Sequence, residues 1–265
     1  MNEALNNDLF RASLTDTTML GVLGGMGPLA TADFYAKLIA QTPASRDQEH
    51  VPVIIYAVPQ VPDRTAALLH GGASPLPALL AGLQALTAAG AQAIAIPCNT
   101  AHAWYDELAA ASPVPILHIA DAAADAAARI AGPGARLALV ATSGTLAAGF
   151  YPRRFAARGF DCATPTDPEM RDLVMPGIGR VKAGAVDEGG RLLERAIGAL
   201  LARGAGAVVL GCTEVPVALD RIASPLRAQC VDATAALATA CVAWWGRTRR
   251  PEPAGPGLDK PLRTA

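Results

Sequence analysis

The chain carries one short pattern twice, 114 residues apart. Residues 90–100 align with residues 204–214 without a gap, and the two segments share a glycine, two alanines and a cysteine at equivalent places. In each segment an apolar run that favours β-strand ends at the cysteine, Cys98 or Cys212, and polar residues follow. This pattern is typical of a buried strand that delivers a side chain to the loop before a helix. It predicts two copies of one α/β unit.

Two weaker similarities support the duplication. Residues 20–27 resemble residues 137–144, and residues 118–122 resemble residues 229–233. We therefore predict two pseudosymmetric α/β domains, each a parallel sheet flanked by helices, with the active site in the cleft between them. The predicted segments are a flexible leader at 1–17, a first domain at 18–113 plus 225–247, a second domain at 114–224, and a disordered tail at 248–265.

The composition limits the classes of partner. With 22 basic and 23 acidic residues, the chain has no charge excess that would favour nucleic acid or an anionic membrane, so we expect a small-molecule ligand. The longest apolar stretches, such as residues 235–245, are too short to span a bilayer. The five cysteines show no framework spacing, and residues 1–18 do not resemble a secretory leader, which favours a reducing cytoplasm.

A glycine-rich turn at residues 24–28 follows the first predicted strand. Its backbone amides, at the start of a helix, would form a positive site for a carboxylate. The spacing of Gly25, Gly27 and Ala30 also fits a dinucleotide fingerprint. That fingerprint expects an acidic residue at the end of the second strand, but the strand predicted at residues 53–58 runs into Pro-Gln. The sequence therefore favours a carboxylate over a nicotinamide cofactor at this turn.

The two repeated cysteines give the sharpest functional hypothesis. A lone cysteine at a strand end is usually a small buried hydrophobic residue. Two symmetry-related thiols, each beside a helix start that lowers the thiol pKa, form instead a matched acid and base. One thiolate could remove a proton from a carbon that bears a carboxylate. The other thiol could return a proton to the opposite face, which inverts that carbon.

Two other uses of the cysteines agree less well with the spacing. A redox pair usually lies within one Cys-x-x-Cys turn, whereas Cys98 and Cys212 are on separate units. Cys98 and His102 are four residues apart and could face one metal ion. No third ligand follows at a suitable spacing, so we predict no metal site. We expect His102 to form hydrogen bonds near the thiol instead.

Four motifs resemble those of the cofactor-independent aspartate racemases, within the aspartate/glutamate racemase superfamily. They are LGGMGPLATAD at residues 23–33, PQVPDRTA at 59–66, PCNTAH at 97–102 and GCTEV at 211–215. The likeness extends over about residues 20–245. It implies an amino-acid racemase that works without pyridoxal phosphate or another cofactor and is often a homodimer. It also implies that Cys98 and Cys212 are the two bases.

The resemblance further implies which residues contact the substrate. The amino and α-carboxylate groups would be held by Asn99, Thr100, Thr145 and Thr213, and a side-chain carboxylate would be selected by Arg64 and Lys182. The remaining predicted contacts are Met26, Gln60, Thr142, Ser143 and Glu214. Without the resemblance, nothing in the sequence selects these two cations over other basic residues. Glutamate racemases usually carry histidine at the position of Glu214, which argues for the aspartate branch.

The predicted function is therefore the interconversion of L- and D-aspartate by two thiols. Three alternatives stay open: a racemase of glutamate or of a broader range of amino acids, a related cysteine-dependent isomerase or decarboxylase of small carboxylic acids, and a sensor that binds an amino acid without turnover. Exchange of the α-proton with solvent deuterium separates the racemases from the other two.

Overall fold

Two parallel four-stranded sheets form the framework of the computed structural model, which describes residues 17–132 and 134–249. The first sheet contains β1 (Leu20–Gly24), β2 (Val53–Ala57), β3 (Ala93–Ala95) and β4 (Ile116–Leu117), in the order β2-β1-β3-β4. The second contains β5 (Arg136–Ala141), β6 (Asp161–Ala163), β7 (Ala207–Gly211) and β8 (Cys230–Asp232), in the order β6-β5-β7-β8. The shared strand order confirms the predicted pair of similar α/β units.

Helices connect the successive strands, as parallel pairing requires. Before β5 they are α1 (Pro28–Gln41), α2 (Arg64–Leu69), α3 (Leu76–Ala88), α4 (Tyr105–Ala111) and α5 (Ile119–Ala131). After β5 they are α6 (Ser143–Ala148), α7 (Phe150–Ala156), α8 (Asp167–Glu169), α9 (Met175–Lys182), α10 (Val186–Ala202), α11 (Glu214–Arg221) and α12 (Ala233–Thr248). A π-helical segment at Met170–Val174 joins α8 to α9, and short 3-10 helices lie at Asp47–Glu49, Thr100–Trp104 and Pro225–Gln229.

Proline and capping side chains set the starts of the helices that follow β1, β2 and β5. Pro28 is the first residue of α1, where its missing N–H would have had no helical partner. Asp63 caps α2, because its carboxylate accepts the N–H of Ala66 at 2.7 Å. Thr142 caps α6 by accepting the N–H of Thr145 at 3.2 Å. These helices therefore begin at the carboxyl edges of the sheets, where parallel folds build their sites.

The buried core is continuous across the two units. One cluster contains Phe34 of α1 together with Tyr151 of α7 and Trp244 of α12, and all three side chains are buried. Further clusters fill the space between α3 and the first sheet and between α10 and the second. Because close-packed interiors deform little, the shared cluster fixes the carboxyl edges of the two sheets relative to each other.

Two strands do not belong to the sheet that the predicted domain boundaries assign to them. β4 pairs with β3 in the first sheet, and β8 pairs with β7 in the second. The helices after these strands then cross between the units. α5 packs against α7 and β7, while α12 packs against α1, where the Gln41 amide donates to the carbonyl oxygen of Ala235 at 3.1 Å. The predicted boundaries therefore group α5 and α12 with the units that they pack against, but they separate β4 and β8 from the sheets in which these strands pair. The last strand of each unit completes the sheet of that unit, and the chain then crosses to the other unit.

The predicted leader lies outside the described residues except for Thr17, and the predicted tail is described only to residue 249. Within that described end, α12 continues to Thr248. Thr18 is buried, and its hydroxyl donates to the carbonyl oxygen of Thr248 at 3.4 Å. In the described parts of the chain, every helix is too short or too polar to cross a membrane.

Candidate active site

The two repeated cysteines occupy equivalent positions in the two sheets. Cys212 directly follows β7, and Cys98 follows β3 after two further residues. β3 and β7 stand at corresponding places in the two strand orders. Both thiols are buried, each residue being 6% exposed, and both line one small cavity between the units. Two symmetry-related thiols therefore face the same space.

This cavity, the thiol chamber, has a volume of about 30 Å³. Both units contribute to its wall, which consists of Met26, Asp63, Arg64, Thr65, Cys98, Asn99, Thr100, Thr142, Lys182, Gly211, Cys212, Thr213 and Glu214. A space of this size holds about one water molecule.

Three of the predicted contacts do not line the chamber. Gln60 is exposed on the loop after β2, and Ser143 is half-buried at the first position of α6. Thr145 is fully buried behind the wall. Its hydroxyl lies 2.8 Å from that of Thr100 and 3.0 Å from that of Thr142, and the latter two hydroxyls are 3.1 Å apart. This triangle of hydroxyl groups joins the loop after Cys98 to the start of α6.

The glycine turn between β1 and α1 has a conformation that requires Gly25. Its φ of +88° is in the left-handed region, and a Cβ atom there would lie 2.4 Å from the backbone nitrogen of Val58. The N–H of Gly25 donates to the hydroxyl of Thr31 at 2.8 Å. The turn thereby places Met26, the next residue, in the chamber wall.

Arg64 holds this turn against the loop before α2. Its guanidinium donates to the carbonyl oxygen of Met26 at 3.2 Å, and to those of Val61 and Pro62 at 3.3 and 3.2 Å. Its Nε is buried and has no hydrogen-bond partner among the described residues. Nη1 and Nη2 of Arg64 therefore donate to backbone, and the buried Nε–H is a donor that stays available for a ligand.

Glu214 lies directly beside the thiol of Cys212. The Sγ–H of Cys212 donates to Oε2 of Glu214 at 2.9 Å, and the hydroxyl of Thr213 donates to the same oxygen at 3.1 Å. Lys182 Nζ is 4.0 Å from the other carboxylate oxygen. Burial, and after it the charge of Glu214, raise the pKa of Cys212 well above its usual value. Cys212 is therefore a protonated thiol at neutral pH.

A buried hydrogen bond from the other unit orients the amide of Asn99. The hydroxyl of Tyr151 donates to Oδ1 of Asn99 at 2.6 Å, and both residues are almost completely buried. The amide nitrogen Nδ2 is also buried and has no partner among the described residues. Since Asn99 lines the chamber, Nδ2 is a free donor for a carboxylate. Nothing in the sequence pointed to Tyr151, because only the packing of α7 brings it to Asn99.

His102 holds the loop that carries Cys98. Its Nε2 accepts the N–H of Ile119 at 3.2 Å, so Nδ1 carries the proton and donates to the carbonyl oxygen of Cys98 at 2.9 Å. Burial lowers the pKa of His102 to about 4, so the ring is neutral at pH 7. Within residues 17–132 and 134–249, no three or more His, Cys, Asp or Glu side chains are grouped to hold a metal ion.

The sequence model of the Asp/Glu/hydantoin racemases matches residues 23–241. The chain belongs to this racemase family. The structure of the racemase is similar to that of the Picrophilus torridus aspartate racemase, with 30% sequence identity and a TM-score of 0.74, covering 86% of this chain and 94% of that chain. Amino-acid racemisation, an isomerase activity, follows from this membership.

Two more relatives extend the comparison of this racemase. The broad specificity amino-acid racemase RacX of Bacillus subtilis is 26% identical over 228 residues, which are 84% of this chain and 96% of that protein. A glutamate racemase from Francisella tularensis has a TM-score of 0.64 at 15% identity, covering 88% of this chain and 82% of that chain. The latter likeness shows the shared two-unit fold alone.

Proposed function

We propose that this racemase interconverts L- and D-aspartate by a two-thiol, two-base mechanism. The observation that carries the proposal is the meeting of Cys98 and Cys212 in one chamber, each from the equivalent strand end of its unit. The similarity to the aspartate racemase of Picrophilus torridus supports aspartate as the substrate.

In the proposed reaction, Cys98 acts as thiolate and Cys212 as thiol for one enantiomer. The Cys98 thiolate takes the α-proton, and the electron pair of the broken C–H bond remains on the substrate as an enolate-like carbanion. Cys212 then gives its proton to the opposite face of the carbon. The products are the other enantiomer, a Cys98 thiol and a Cys212 thiolate. The other enantiomer reacts in the reverse sense, so the cycle needs no external reductant or oxidant.

The chamber supplies donors for the carboxylate on which charge develops. The unpartnered Nδ2 of Asn99 is buried beside the thiols, and Thr100 and Thr213 add hydroxyl groups to the same wall. Buried donors that are oriented before the reaction stabilise developing negative charge more than water does. For the side-chain carboxylate of aspartate, Lys182 supplies a positive charge, and Arg64 supplies its Nε.

A broader amino-acid range is the second candidate. The guanidinium of Arg64 is occupied largely by backbone carbonyl groups, and Lys182 has Glu214 beside it. The chamber wall contains two cationic side chains, Arg64 and Lys182, and two anionic ones, Asp63 and Glu214. The positive and negative charges of the wall balance, so the substrate does not need a second carboxylate to neutralise them. The likeness to RacX, a broad specificity racemase by its name, is in accord with this candidate.

Chiral analysis in deuterated water tests the proposed function. The purified protein, under reducing conditions, is incubated with single enantiomers of aspartate, glutamate and alanine. We expect aspartate to approach a racemic mixture and to acquire deuterium at the α-carbon. Loss of carbon dioxide would indicate a decarboxylase, and binding without exchange would indicate a sensor; either result would refute the proposal. Faster racemisation of the other two amino acids would favour the broader range.

Replacement of Glu214 by glutamine should shift the pH dependence of the enzyme. The negative charge of Glu214 helps to raise the pKa of Cys212, so its removal lowers that pKa. In the direction that needs Cys212 as a thiol, activity is lost as the pH rises through this pKa, and the alkaline limb of kcat/KM should therefore move to lower pH. The exposed Glu188 on α10, changed to glutamine, is the matched control. An unmoved alkaline limb in Glu214→Gln would contradict the coupling.

A further inference from the structure

A second, larger cavity lies beside the thiol chamber. This cavity, the side pocket, has a volume of about 340 Å³. It shares five wall residues with the chamber, and these form the junction between them: Met26, Arg64, Lys182, Thr213 and Glu214. Because the two spaces adjoin at these five residues, a side chain that leaves the chamber past the junction enters the side pocket.

The side pocket differs from the chamber in the chemistry of its wall. All of its wall residues outside the junction are glycine, proline or aliphatic: Gly25, Gly27, Pro28, Leu29, Ala30, Pro59, Val181 and Val217. They come from the glycine turn, the start of α1, the loop after β2, α9 and α11. Every charged group that touches the side pocket is at the junction. Beyond that point the wall offers hydrophobic contact and no ionic partner.

The size of the side pocket exceeds what aspartate can use. The side chain of aspartate has one methylene group before its carboxylate, so that carboxylate reaches the junction with Lys182 and Arg64 and extends no further. The aliphatic wall at Leu29, Val181 and Val217 would then be left without contact. An unbranched side chain of four or more atoms would pass the junction and bury its apolar surface there.

We propose that the side pocket binds the substrate side chain and that the enzyme also racemises neutral amino acids with long, unbranched aliphatic side chains. This inference rests on the proposed racemisation between the two thiols and adds a substrate class to it. Norleucine is the probe, because it has a four-carbon chain without charge or hydrogen-bonding groups. Its α-amino and α-carboxylate groups bind in the chamber as those of aspartate do, and the thiols transfer the proton in the same way.

The test compares norleucine with aspartate in the full-length enzyme and in Val217→Phe. Val217 is half-buried on α11, so a phenylalanine there extends into the side pocket without entering the core. We expect measurable racemisation of L-norleucine by the wild-type enzyme. In Val217→Phe, the ratio of kcat/KM for norleucine to that for aspartate should fall about tenfold or more, the range by which a pocket discriminates small apolar groups.

Ile130→Phe is the matched control, because Ile130 is 50% exposed on α5 and does not line either cavity. In Ile130→Phe, the ratio of kcat/KM for norleucine to that for aspartate should equal the wild-type ratio. If aspartate is racemised and norleucine is not, or if Val217→Phe leaves the ratio unchanged, the side-pocket inference is overturned while the proposed function stands. If neither amino acid is racemised, the proposed function itself fails, and the inference fails with it.

Discussion

Replacing either Cys98 or Cys212 by alanine is expected to lower aspartate racemisation by about a thousandfold or more. Positioned acid and base groups contribute factors of this order, and inversion needs one group on each face of the carbon. The measurement is the rate of chiral conversion from pure L-aspartate and from pure D-aspartate. Both directions should collapse in both variants, because each thiol is the base in one direction and the acid in the other.

Deuterium incorporation distinguishes this mechanism from a loss of folding. In Cys212→Ala, the remaining Cys98 can still take the α-proton of one enantiomer and return deuterium to the same face, giving exchange without inversion. Cys98→Ala should show the same behaviour with the opposite enantiomer. Cys162, a half-buried cysteine outside both cavities, supplies the control as Cys162→Ala and should retain activity. Full racemisation by either chamber variant would refute the two-base assignment.

Asn99→Ala is expected to lower kcat/KM for aspartate by about a hundredfold. The variant removes the buried Nδ2 donor that would face the substrate carboxylate, and the loss of one such oriented donor costs about two to three powers of ten in rate. Tyr151→Phe should cost less, about tenfold, because it keeps the amide and removes only the hydroxyl that orients it. Without that hydroxyl, the amide can turn its oxygen toward the carboxylate.

The double variant tests whether Tyr151 acts through Asn99. If it does, Tyr151→Phe combined with Asn99→Ala should be no slower than Asn99→Ala alone, since the group that Tyr151 positions is already absent. Tyr105→Phe is the control, because the Tyr105 hydroxyl donates to the carbonyl oxygen of Ile116 at 3.4 Å, whereas Asn99 Oδ1 accepts from Tyr151. Multiplicative losses in the double variant would mean that Tyr151 supports the fold and not the amide.

Much of the fold could be predicted because the chain repeats itself. The offset between Cys98 and Cys212 predicted two similar sheets, and both sheets have the same strand order. Arg64–Leu69 was predictable as a helix because Asp63 is a good capping residue and its carboxylate caps α2. The domain boundaries were harder, because hydrophobic periodicity identifies a helix without showing which sheet the helix covers.

The strand ends predicted where the two cysteines lie, and the resemblance to the aspartate racemases implied the contacts around them. Asn99, Thr100 and Thr213, which lie within two residues of these cysteines, line the chamber. Loop side chains were less predictable, since their contacts depend on tertiary packing. Gln60 is on the surface of its loop, and Arg64 donates to three backbone carbonyl groups that no sequence pattern reveals.

The exchange of α5 and α12 between the units has a consequence for how the molecule is made. The first sheet leaves the ribosome long before α12, the helix that packs against α1. The apolar side of α1 therefore stays uncovered until α12 has been synthesised. A fragment that stops before α12 would leave this apolar surface exposed and prone to aggregation, so the first half of the duplicated chain depends on the second to cover it.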